Sequence, residues 1–326
     1  RRAQAAFALD SDFRLAASGT PLENHLGELW SLFRFINPGL LGSQARFAER
    51  FATPIAQGDH AAREALKSLV QPFILRRTKA QVLTELPPRT ELVHRVVLSD
   101  DERHLYEALR QEALDQVAQA AEHERAMQVL AQITRLRRLC CHPSLVLPNS
   151  TLAGSKLSAF AQLMTELLDN GHKALVFSQF VDHLALARHW LEQRGIAYQY
   201  LDGSTPARQR QARVKAFQAG EGEVFLISLK AGGTGLTLTA ADYVLHLDPW
   251  WNPAVEDQAS DRAYRMGQQR PVTIYRLIAA DTIEEQMIAL HHAKRDLADS
   301  LLEGGDRSAR LDADALLALL RGEAAG

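Results

Sequence analysis

The sequence predicts an α/β protein built around a parallel sheet. Between residues 173 and 280, short apolar segments alternate with segments of helical periodicity, as in strand–helix repeats. Strands that alternate with helices indicate a parallel sheet covered on both faces. Hydrophobic residues make up 46% of the 326, enough for a large core. At about 100–200 residues per domain, this length predicts two or three domains.

Five strands are predicted in the second half of the chain, and the residues that follow them are the functional candidates. The strands cover 173–177, 197–201, 223–228, 242–247 and 272–278, and helices are expected at roughly 181–194, 206–217 and 253–264. Ligands of parallel sheets bind beside the carboxyl ends of the strands. The candidates at these ends are Ser178 and Gln179, DGSTP at 202–206, LKAGGTG at 229–235 and DPWWNP at 248–253.

The rest of the sequence predicts mainly helices, apart from one strand over 90–98 and a loop over 142–155. The helical patterns lie within 18–39, at roughly 43–51 and 61–70, in two helices between 99 and 139, and over 282–302. Asp101-Glu102-Arg103-His104 fits the acidic D-E-x-H box of an ATPase. The preferred interpretation is a capping box, in which Ser99 and Glu102 open the helix that follows.

Composition excludes few classes of function. The net charge is −2, which neither requires nor excludes nucleic acid, because a local basic groove can exist within a neutral total. Cys140 and Cys141 are adjacent and predict a buried structural role. With His142 they fall short of the four ligands of a structural zinc site, so no metal site is expected. Neither a signal sequence nor an apolar run of about 18 residues is found, which predicts a cytoplasmic protein without a membrane partner.

The segment EDQASDRAYRMGQQRP (256–271) contains the strongest catalytic candidates. On a helix, Gln258, Arg262 and Arg265 would share one face because their spacings are four and three. Two arginine forks beside a phosphate-binding loop suit the charge that develops on a transferring phosphoryl group. The alternative is an ordinary surface helix whose arginines pair with the acids at 256, 257 and 261, and spacing alone does not exclude it.

Two loops are candidates for phosphate binding. AGGTGLTL (231–238) lacks the third glycine of a dinucleotide fingerprint, but it offers backbone amides unshielded by side chains, with Lys230 before it. In GSTP (203–206), Ser204 or Thr205 is expected to cap a helix with Pro206 in its first turn, which leaves the helix amino terminus near the ligand. The adjacent Trp250 and Trp251 predict either contact with a nucleic-acid strand or core packing.

Over roughly residues 10–302 the sequence resembles the SWI/SNF-type family of helicase-like, DNA-dependent ATPases in helicase superfamily two, and is similar to its bacterial members. The resemblance rests on ordered motifs: SGTPLENHLGELWSLFRFINPGLLG (18–42), FILRRTKAQVLTELPPRTE (73–91), LRRLCCHPSL (136–145), KALVFSQF (173–180), LDGST (201–205), the long segment from Ser228 to Val272, and TIEEQM (282–287).

The resemblance implies RecA-like lobes. Residues 1–98 would be the carboxyl-terminal end of a first lobe, with a helical protrusion at about 28–72. Residues 99–302 would form a second lobe with a helical insertion at about 99–150 and a bracing helix at 282–302, and 303–326 a tail.

The resemblance also implies roles for individual residues. Arg262 and Arg265 match arginine fingers, and Gln258, Gly233 and Gly235 match the ATP site. Ser178, Gln179, Gly203, Ser204, Lys230 and Trp251 match positions along the DNA path, and Ser18, Gly19 and Thr20 match the motif that couples hydrolysis to movement.

The implied function is the carboxyl-terminal motor portion of an ATP-dependent double-stranded-DNA translocase. Its substrate would be ATP with magnesium, and nucleoid proteins or RNA polymerase are further expected partners. No Gly-Lys pair of a P-loop occurs in the sequence, so the main nucleotide pocket is expected upstream and the isolated chain is expected to hydrolyse little ATP. The alternatives are a non-catalytic DNA- or protein-binding module and an RNA-directed helicase.

Overall fold

The structure is a computed structural model. It describes residues 2–18, 26–75, 77, 83, 85–231, 235–289, 317–318 and 320–321. The chain divides into two compact units. The first comprises Arg1–Thr78, Asn252–Ala254 and Leu290–Arg310, and the second comprises Lys79–Trp251, Val255–Ala289 and Leu311–Gly326.

The first unit is helical where it is described, as the sequence predicts. Its helices are Arg2–Phe7, Leu26–Ile36, Gln44–Phe47, a π-helical turn Ala48–Ala52, Thr53–Ala56, His60–Val70 and a 3₁₀ turn Gln71–Phe73. The side chains of Ser43 and Asp59 cap two of these helices by accepting backbone amides, at Arg46 and Ala62. Leu29, Phe33, Phe47, Phe51 and Leu66 are among the residues of the core between them.

The second unit contains a six-stranded sheet in which every pairing is parallel, which confirms the predicted fold class. The strands are β1 Arg89–Val96, β2 Ala174–Ser178, β3 Tyr198–Leu201, β4 Val224–Ser228, β5 Tyr243–His246 and β6 Val272–Ala279, in the order β1-β6-β5-β2-β4-β3. β2 and β4 are fully buried, as expected of strands in a parallel sheet covered on both faces.

Helices cover both faces of this sheet. They are Asp100–Gln119, Glu122–Cys141, Ser155–Asp169, Val181–Gln193, Ala207–Gln218, Pro253–Ser260 and residues 283–289, with a 3₁₀ turn Pro143–Leu145. Phe160 and Trp190 belong to the core on one face, and Phe217 and Ala259 to the core on the other. Both cysteines are free and buried at the end of Glu122–Cys141.

The predicted capping box is present and has a wider role than expected. Glu102 accepts the backbone amide of Ser99 at 3.1 Å, and its own amide donates to the Ser99 hydroxyl at 3.3 Å. Glu102 also accepts the backbone amide of Ser155 at 2.9 Å and bonds the Ser155 hydroxyl. One buried carboxylate therefore joins the starts of two helices.

Four features differ from the sequence-based expectations. The strand predicted for the end of the first lobe is β1, which pairs along its length with β6 and so belongs to the sheet of the second unit. The helix Ser155–Asp169 was not predicted. The helix expected over 253–264 ends at Ser260, and the helix after β3 begins at Ala207, with Pro206 at the N-cap and no side-chain cap from Ser204 or Thr205.

The last of these differences has a local cause, because the carboxylate of Asp202 attracts the side chains that could have capped the helix. Asp202 accepts the amide and the hydroxyl of Ser204 at 2.9 and 2.6 Å, and the hydroxyl of Thr205 at 3.2 Å. These bonds, led by the Ser204 hydroxyl, lower the pKa of Asp202 despite partial burial. The loop is therefore held by hydrogen bonds to the Asp202 carboxylate, and the helix that follows receives no side-chain cap.

Candidate functional site

The two candidate arginines lie on a turn that follows a helix, and this turn (residues 261–268) is called the arginine segment below. Gln258 is exposed in the helix Pro253–Ser260, whereas Arg262 and Arg265 lie beyond its end. Arg262 is 6% exposed and Arg265 is exposed to solvent. The expected single helical face with three residues is therefore wrong, because the chain leaves the helix before reaching the arginines.

Arg262 is held in an aromatic environment at the sheet. Its guanidinium carbon lies 5.8 Å from the centre of the Phe177 ring, and Phe177 stacks on His246 at 5.5 Å. A hydrogen bond of 2.8 Å joins His246 Nε2 to the hydroxyl of Ser260 at the end of the preceding helix. Burial, together with the charge on Arg265, lowers the pKa of Arg262 to about 10, so Arg262 is protonated at neutral pH.

Arg265 attaches the arginine segment to the end of the glycine-rich loop (residues 229–238). Its Nη1 atom lies 3.4 Å from the Leu236 carbonyl and 3.3 Å from the Thr237 hydroxyl, and the amide of Leu238 donates to the Arg262 carbonyl at 2.9 Å. Gly235 is exposed and has a φ of +94°, a conformation that favours glycine. Gly233 lies outside the described residues.

Gln268 fixes the same turn, and sequence reasoning missed it. Its buried Nε2 atom lies 3.2, 2.8 and 3.0 Å from the carbonyls of Thr239, Ala241 and Ala263. Its Oε1 atom accepts the amides of Gln269 and Arg270. A glutamine directly after a methionine–glycine pair has no distinctive spacing, so only the folded structure reveals this role.

The acids of the helix Pro253–Ser260 and the turn after it bind arginines of the sheet. Arg276 on β6 donates to Glu256 at 2.8 Å and to Asp257 at 3.3 Å. Arg89 on β1 lies 3.6 Å from Asp257 and 3.3 Å from Asp261. Glu256, Asp257 and Asp261 thus fasten the helix and the turn after it to β1 and β6.

Ser178 lies inside the protein, although the sequence places it among the DNA contacts. It is fully buried, and its hydroxyl donates to Asp248 and accepts the amide of Phe180 at 3.0 Å. Asp248 also accepts the backbone amide of Gln179 at 3.1 Å, and Gln179 itself is partly exposed. Ser178 thus orders the turn after β2, with its hydroxyl engaged by Asp248 and Phe180.

The remaining candidates reach the surface. Gly203 and Ser204 are exposed in the loop after β3 (residues 202–206), and Lys230 is exposed after β4. The ammonium of Lys230 lies 6.0 Å from the ring centre of Trp250, which packs against the core. Trp251 is partly exposed, with the guanidinium of the buried Arg137 5.2 Å from its ring. These residues lie where the carboxyl ends of β3, β4 and β5 meet the surface.

The coupling candidates belong to the first unit. Ser18 is exposed, and Gly19 and Thr20 lie outside the described residues.

One group of potential metal ligands occurs among the described residues. Donor atoms of Cys141, His183 and Asp248 lie within 4.8 Å of one another, and all three residues are buried. The group has fewer than the four protein ligands of a structural zinc site. Burial alone would raise the pKa of Asp248, but the hydrogen bond and charge of His183, the hydrogen bond of Ser178 and the charge on Lys156 lower it. This carboxylate serves the turn at Ser178 and Gln179, and we assign no metal to it.

In the parts of the chain that the structure describes, every helix is too short or too polar to cross a membrane.

Family comparisons match most of the chain. The SNF2-related domain family matches residues 1–145, and the helicase conserved C-terminal domain family matches residues 155–267. YwqA of Bacillus subtilis (strain 168), named as a candidate ATP-dependent helicase/translocase, is 40% identical over 298 residues, which are 89% of this chain and 32% of YwqA. The mouse SWI/SNF-related matrix-associated actin-dependent regulator of chromatin subfamily A member 1 is 33% identical over 325 residues, 94% of this chain and 31% of the mouse protein. The chain thus spans about a third of the length of these relatives.

Solved structures match the fold. The SWI2/SNF2 ATPase core of Sulfolobus solfataricus in complex with dsDNA superposes with a TM-score of 0.58 at 34% identity, over 93% of this chain and 65% of that one. The C-terminal domain of the Sulfolobus solfataricus SWI2/SNF2 ATPase superposes with a TM-score of 0.55 at 26% identity, over 67% of this chain and 91% of that one. The predicted RecA-like architecture is therefore confirmed.

Proposed function

Because the chain belongs to the SWI/SNF-type family of helicase-like ATPases, we propose that it is part of a motor that moves along double-stranded DNA by hydrolysing ATP. ATP with magnesium is the proposed substrate of the full-length protein. The arginine segment supplies the positive charge for the reaction.

The observation that supports this proposal best is a buried, protonated Arg262 beside an exposed Arg265 on one fastened turn. Two neighbouring like charges repel each other, so an anion that binds both arginines gains from both charges at once. The three outer oxygens of a γ-phosphoryl group form such an anion, and negative charge spreads over them during transfer. A fixed guanidinium stabilises that charge without first having to reorganise.

The proposed DNA contacts use the exposed residues at the carboxyl ends of the strands. Gly203 brings the backbone close to a phosphate without a side chain between them, and Lys230 supplies a charge. Ser204 extends this exposed turn while its hydroxyl donates to Asp202. Such contacts hold the sugar–phosphate backbone and carry no sequence information, which suits a protein that travels along a duplex. Gln179 and Trp251 extend this surface, and Ser178 supports it from inside the protein.

The experiment that tests the proposal is ATP hydrolysis by the full-length protein with duplex DNA, single-stranded DNA or RNA. We expect duplex DNA to give the strongest stimulation. Arg262→Ala is expected to lower the stimulated rate by about 10³-fold or more, in line with the loss of an arginine finger. Arg265→Ala is expected to lower the rate as well, with less effect on folding because its side chain is exposed.

A matched control is Arg188→Ala on the helix Val181–Gln193, since Arg188 is also exposed and pairs with Glu192 at 2.9 Å. It removes one positive charge and should keep the wild-type rate. Full activity of both Arg262→Ala and Arg265→Ala would refute the role of the arginine segment.

Two other classes of function give different results in the same assay. A binding module without turnover would show no hydrolysis with any nucleic acid, and an RNA-directed helicase would be stimulated more by RNA than by duplex DNA. We also propose that the full-length protein works in the bacterial cytoplasm, on nucleoid DNA. Cross-linking in cells would distinguish nucleoid proteins from RNA polymerase as its neighbours.

A further inference from the structure

Arg210 links two loops that are far apart in sequence. It lies on the helix Ala207–Gln218, and its guanidinium donates to three backbone carbonyls. Nε donates to Thr205 at 2.9 Å, Nη2 to Asp202 at 3.2 Å and Nη1 to Ala231 at 2.7 Å. The first two carbonyls belong to the loop at 202–206, and the third belongs to the glycine-rich loop. One planar fork therefore spans both loops.

The points that Arg210 holds are rigid. Ala231 is 3% exposed, and its amide donates to the carbonyl of Ser228 at 3.0 Å. At the other loop, the amide of Asp202 donates to the Thr205 hydroxyl at 3.1 Å, and the amide of Thr205 donates to the Asp202 carbonyl at 3.2 Å. A displacement of either loop therefore changes the hydrogen bonds of Arg210 and is not absorbed by the chain nearby.

Each loop leads to one part of the proposed site. The loop at 202–206 presents Gly203 and Ser204 at the surface. Ala231 belongs to the same buried cluster as Leu238 and as Ala263 of the arginine segment. Residues 236–238 also contact that segment through Arg265 and the carbonyl of Arg262. Arg210 thus lies between the proposed DNA contacts and the proposed catalytic arginines.

We propose that Arg210 is a positioning residue that couples DNA contact at Gly203 and Ser204 to the arginine segment through Ala231. The inference rests on the proposed function, since it assigns the stimulation of hydrolysis by DNA to a defined contact. Arg210 itself touches neither the nucleotide nor DNA. Its planar fork matters as much as its charge, because three carbonyls are reached at once.

The test uses the full-length protein and three variants. Arg210→Gln removes the fork and the charge, Arg210→Lys keeps the charge alone, and Arg208→Gln removes the charge of an exposed arginine on the same helix. We measure ATP turnover without DNA and with saturating duplex DNA, and the dissociation constant for the duplex. Thermal unfolding checks that each variant folds.

We expect Arg210→Gln and Arg210→Lys to lose about ten-fold or more of the stimulation by DNA. Their turnover without DNA should stay within about two-fold of wild type, and their affinity for DNA within about three-fold. Arg208→Gln should keep the wild-type stimulation. Wild-type stimulation in Arg210→Gln, full rescue by Arg210→Lys, or an equal loss with and without DNA would each overturn the inference.

A second measurement separates this inference from the proposed function. Hydrogen exchange of the backbone amides is followed at 202–206 and at 235–238, with and without duplex DNA. We expect DNA to slow exchange in both segments of the wild type, but only at 202–206 in Arg210→Gln. A wild type that does not hydrolyse ATP yet shows this pattern would refute the motor and keep the coupling. Protection confined to 202–206 in the wild type would overturn the coupling.

Discussion

Arg262 is a charged side chain that folding has removed from most of the solvent, and its neighbours explain how it stays in place. Phe177 lies against its guanidinium, His246 lies against Phe177, and Ser260 bonds His246. Burial of a charged group is costly, and strongly perturbed charged groups are common at functional sites. This column of four residues, Arg262, Phe177, His246 and Ser260, also joins the end of one helix to the middle of the sheet.

The protonation of His246 should limit the stability of this column at low pH. Burial, aided by the charge on Arg276, lowers the pKa of His246 to about 3. Because the unfolded state binds a proton near pH 6.5, stability is complete above that value and falls as the pH drops toward 3. Between pH 6.5 and 5 the loss due to His246 should reach about 2 kcal/mol.

Equilibrium unfolding in urea at pH 7, 6 and 5 measures this loss. His246→Asn removes the titrating group and should reduce the pH dependence by about that amount, about 2 kcal/mol at pH 5. His189→Asn alters an exposed histidine and should keep the wild-type dependence. An unchanged pH dependence in His246→Asn would mean that folding does not lower the pKa of His246.

Residue types near the site could be read from the sequence better than their surroundings could. The arginines three apart and the glycine-rich loop are local patterns, and both lie in one part of the fold. The burial of Ser178 depends on Asp248, seventy residues away, and the displacement of the helix cap depends on Asp202 competing for Ser204 and Thr205. No local pattern contains such competition between partners.

At the scale of elements, the helix Pro253–Ser260 is fastened to the sheet by ion pairs. Arg276 is 6% exposed and bonds Glu256, which is fully buried, along with Asp257 and Glu91. Glu256 also accepts the amide of Trp250 at 2.7 Å, ahead of the helix. The helix therefore cannot move along the sheet without exposing a carboxylate to solvent or separating it from its arginine.

Replacement of Arg276 should lower the stability of the protein strongly for this reason. Arg276→Gln leaves the buried Glu256 without its charged partner and should lower the free energy of unfolding by about 3–5 kcal/mol. The double variant Arg276→Gln/Glu256→Gln removes both charges and should recover part of that loss. Urea unfolding followed by tryptophan fluorescence measures both values.

Arg95→Gln is the surface control for the same charge change. Arg95 is 72% exposed and lies 3.1 Å from Glu285, so its loss should cost less than about 1 kcal/mol. Equal effects of Arg95→Gln and Arg276→Gln would contradict the view that the helix is held by buried pairs.

Helices and strands were predictable where the hydrophobic periodicity was strong. Their ends were predicted poorly where tertiary contacts decide where the element begins or ends. Each predicted strand exists within about two residues of its expected bounds. The helix Ser155–Asp169 was missed because its start is fixed by Glu102, fifty-three residues earlier, and its first turn holds a serine–lysine pair that resembles loop sequence. The helix Pro253–Ser260 ends early because Gln268 and Leu238 bind the turn after it.

At the scale of the whole molecule, the second unit begins before its helical insertion. β1 precedes the insertion in sequence yet forms the outer strand beside β6. The sheet therefore needs residues from both sides of the helical insertion. The predicted boundary between the lobes at residue 98 separated β1 from this sheet. Sequence patterns identify a strand well, but they do not identify the sheet that it joins.

Two shortened chains test this division. A chain beginning at residue 79 keeps β1 and should unfold in one cooperative thermal transition. A chain beginning at residue 99 loses β1, with Glu91 as a partner of Arg276 and Arg89 as a partner of Asp261. Its melting temperature should fall by about 10 °C or more, since 1 kcal/mol corresponds to about 2–4 °C at this size. Equal melting temperatures would show that β1 is dispensable.

The two buried thiols at the end of the helix Glu122–Cys141 can report how often this part of the protein opens. Burial raises the pKa of both Cys140 and Cys141, so neither thiol reacts with an alkylating reagent while it is enclosed. Their modification must wait for the insertion to open from the sheet. The rate at which unmodified protein disappears in the presence of the reagent therefore counts those openings.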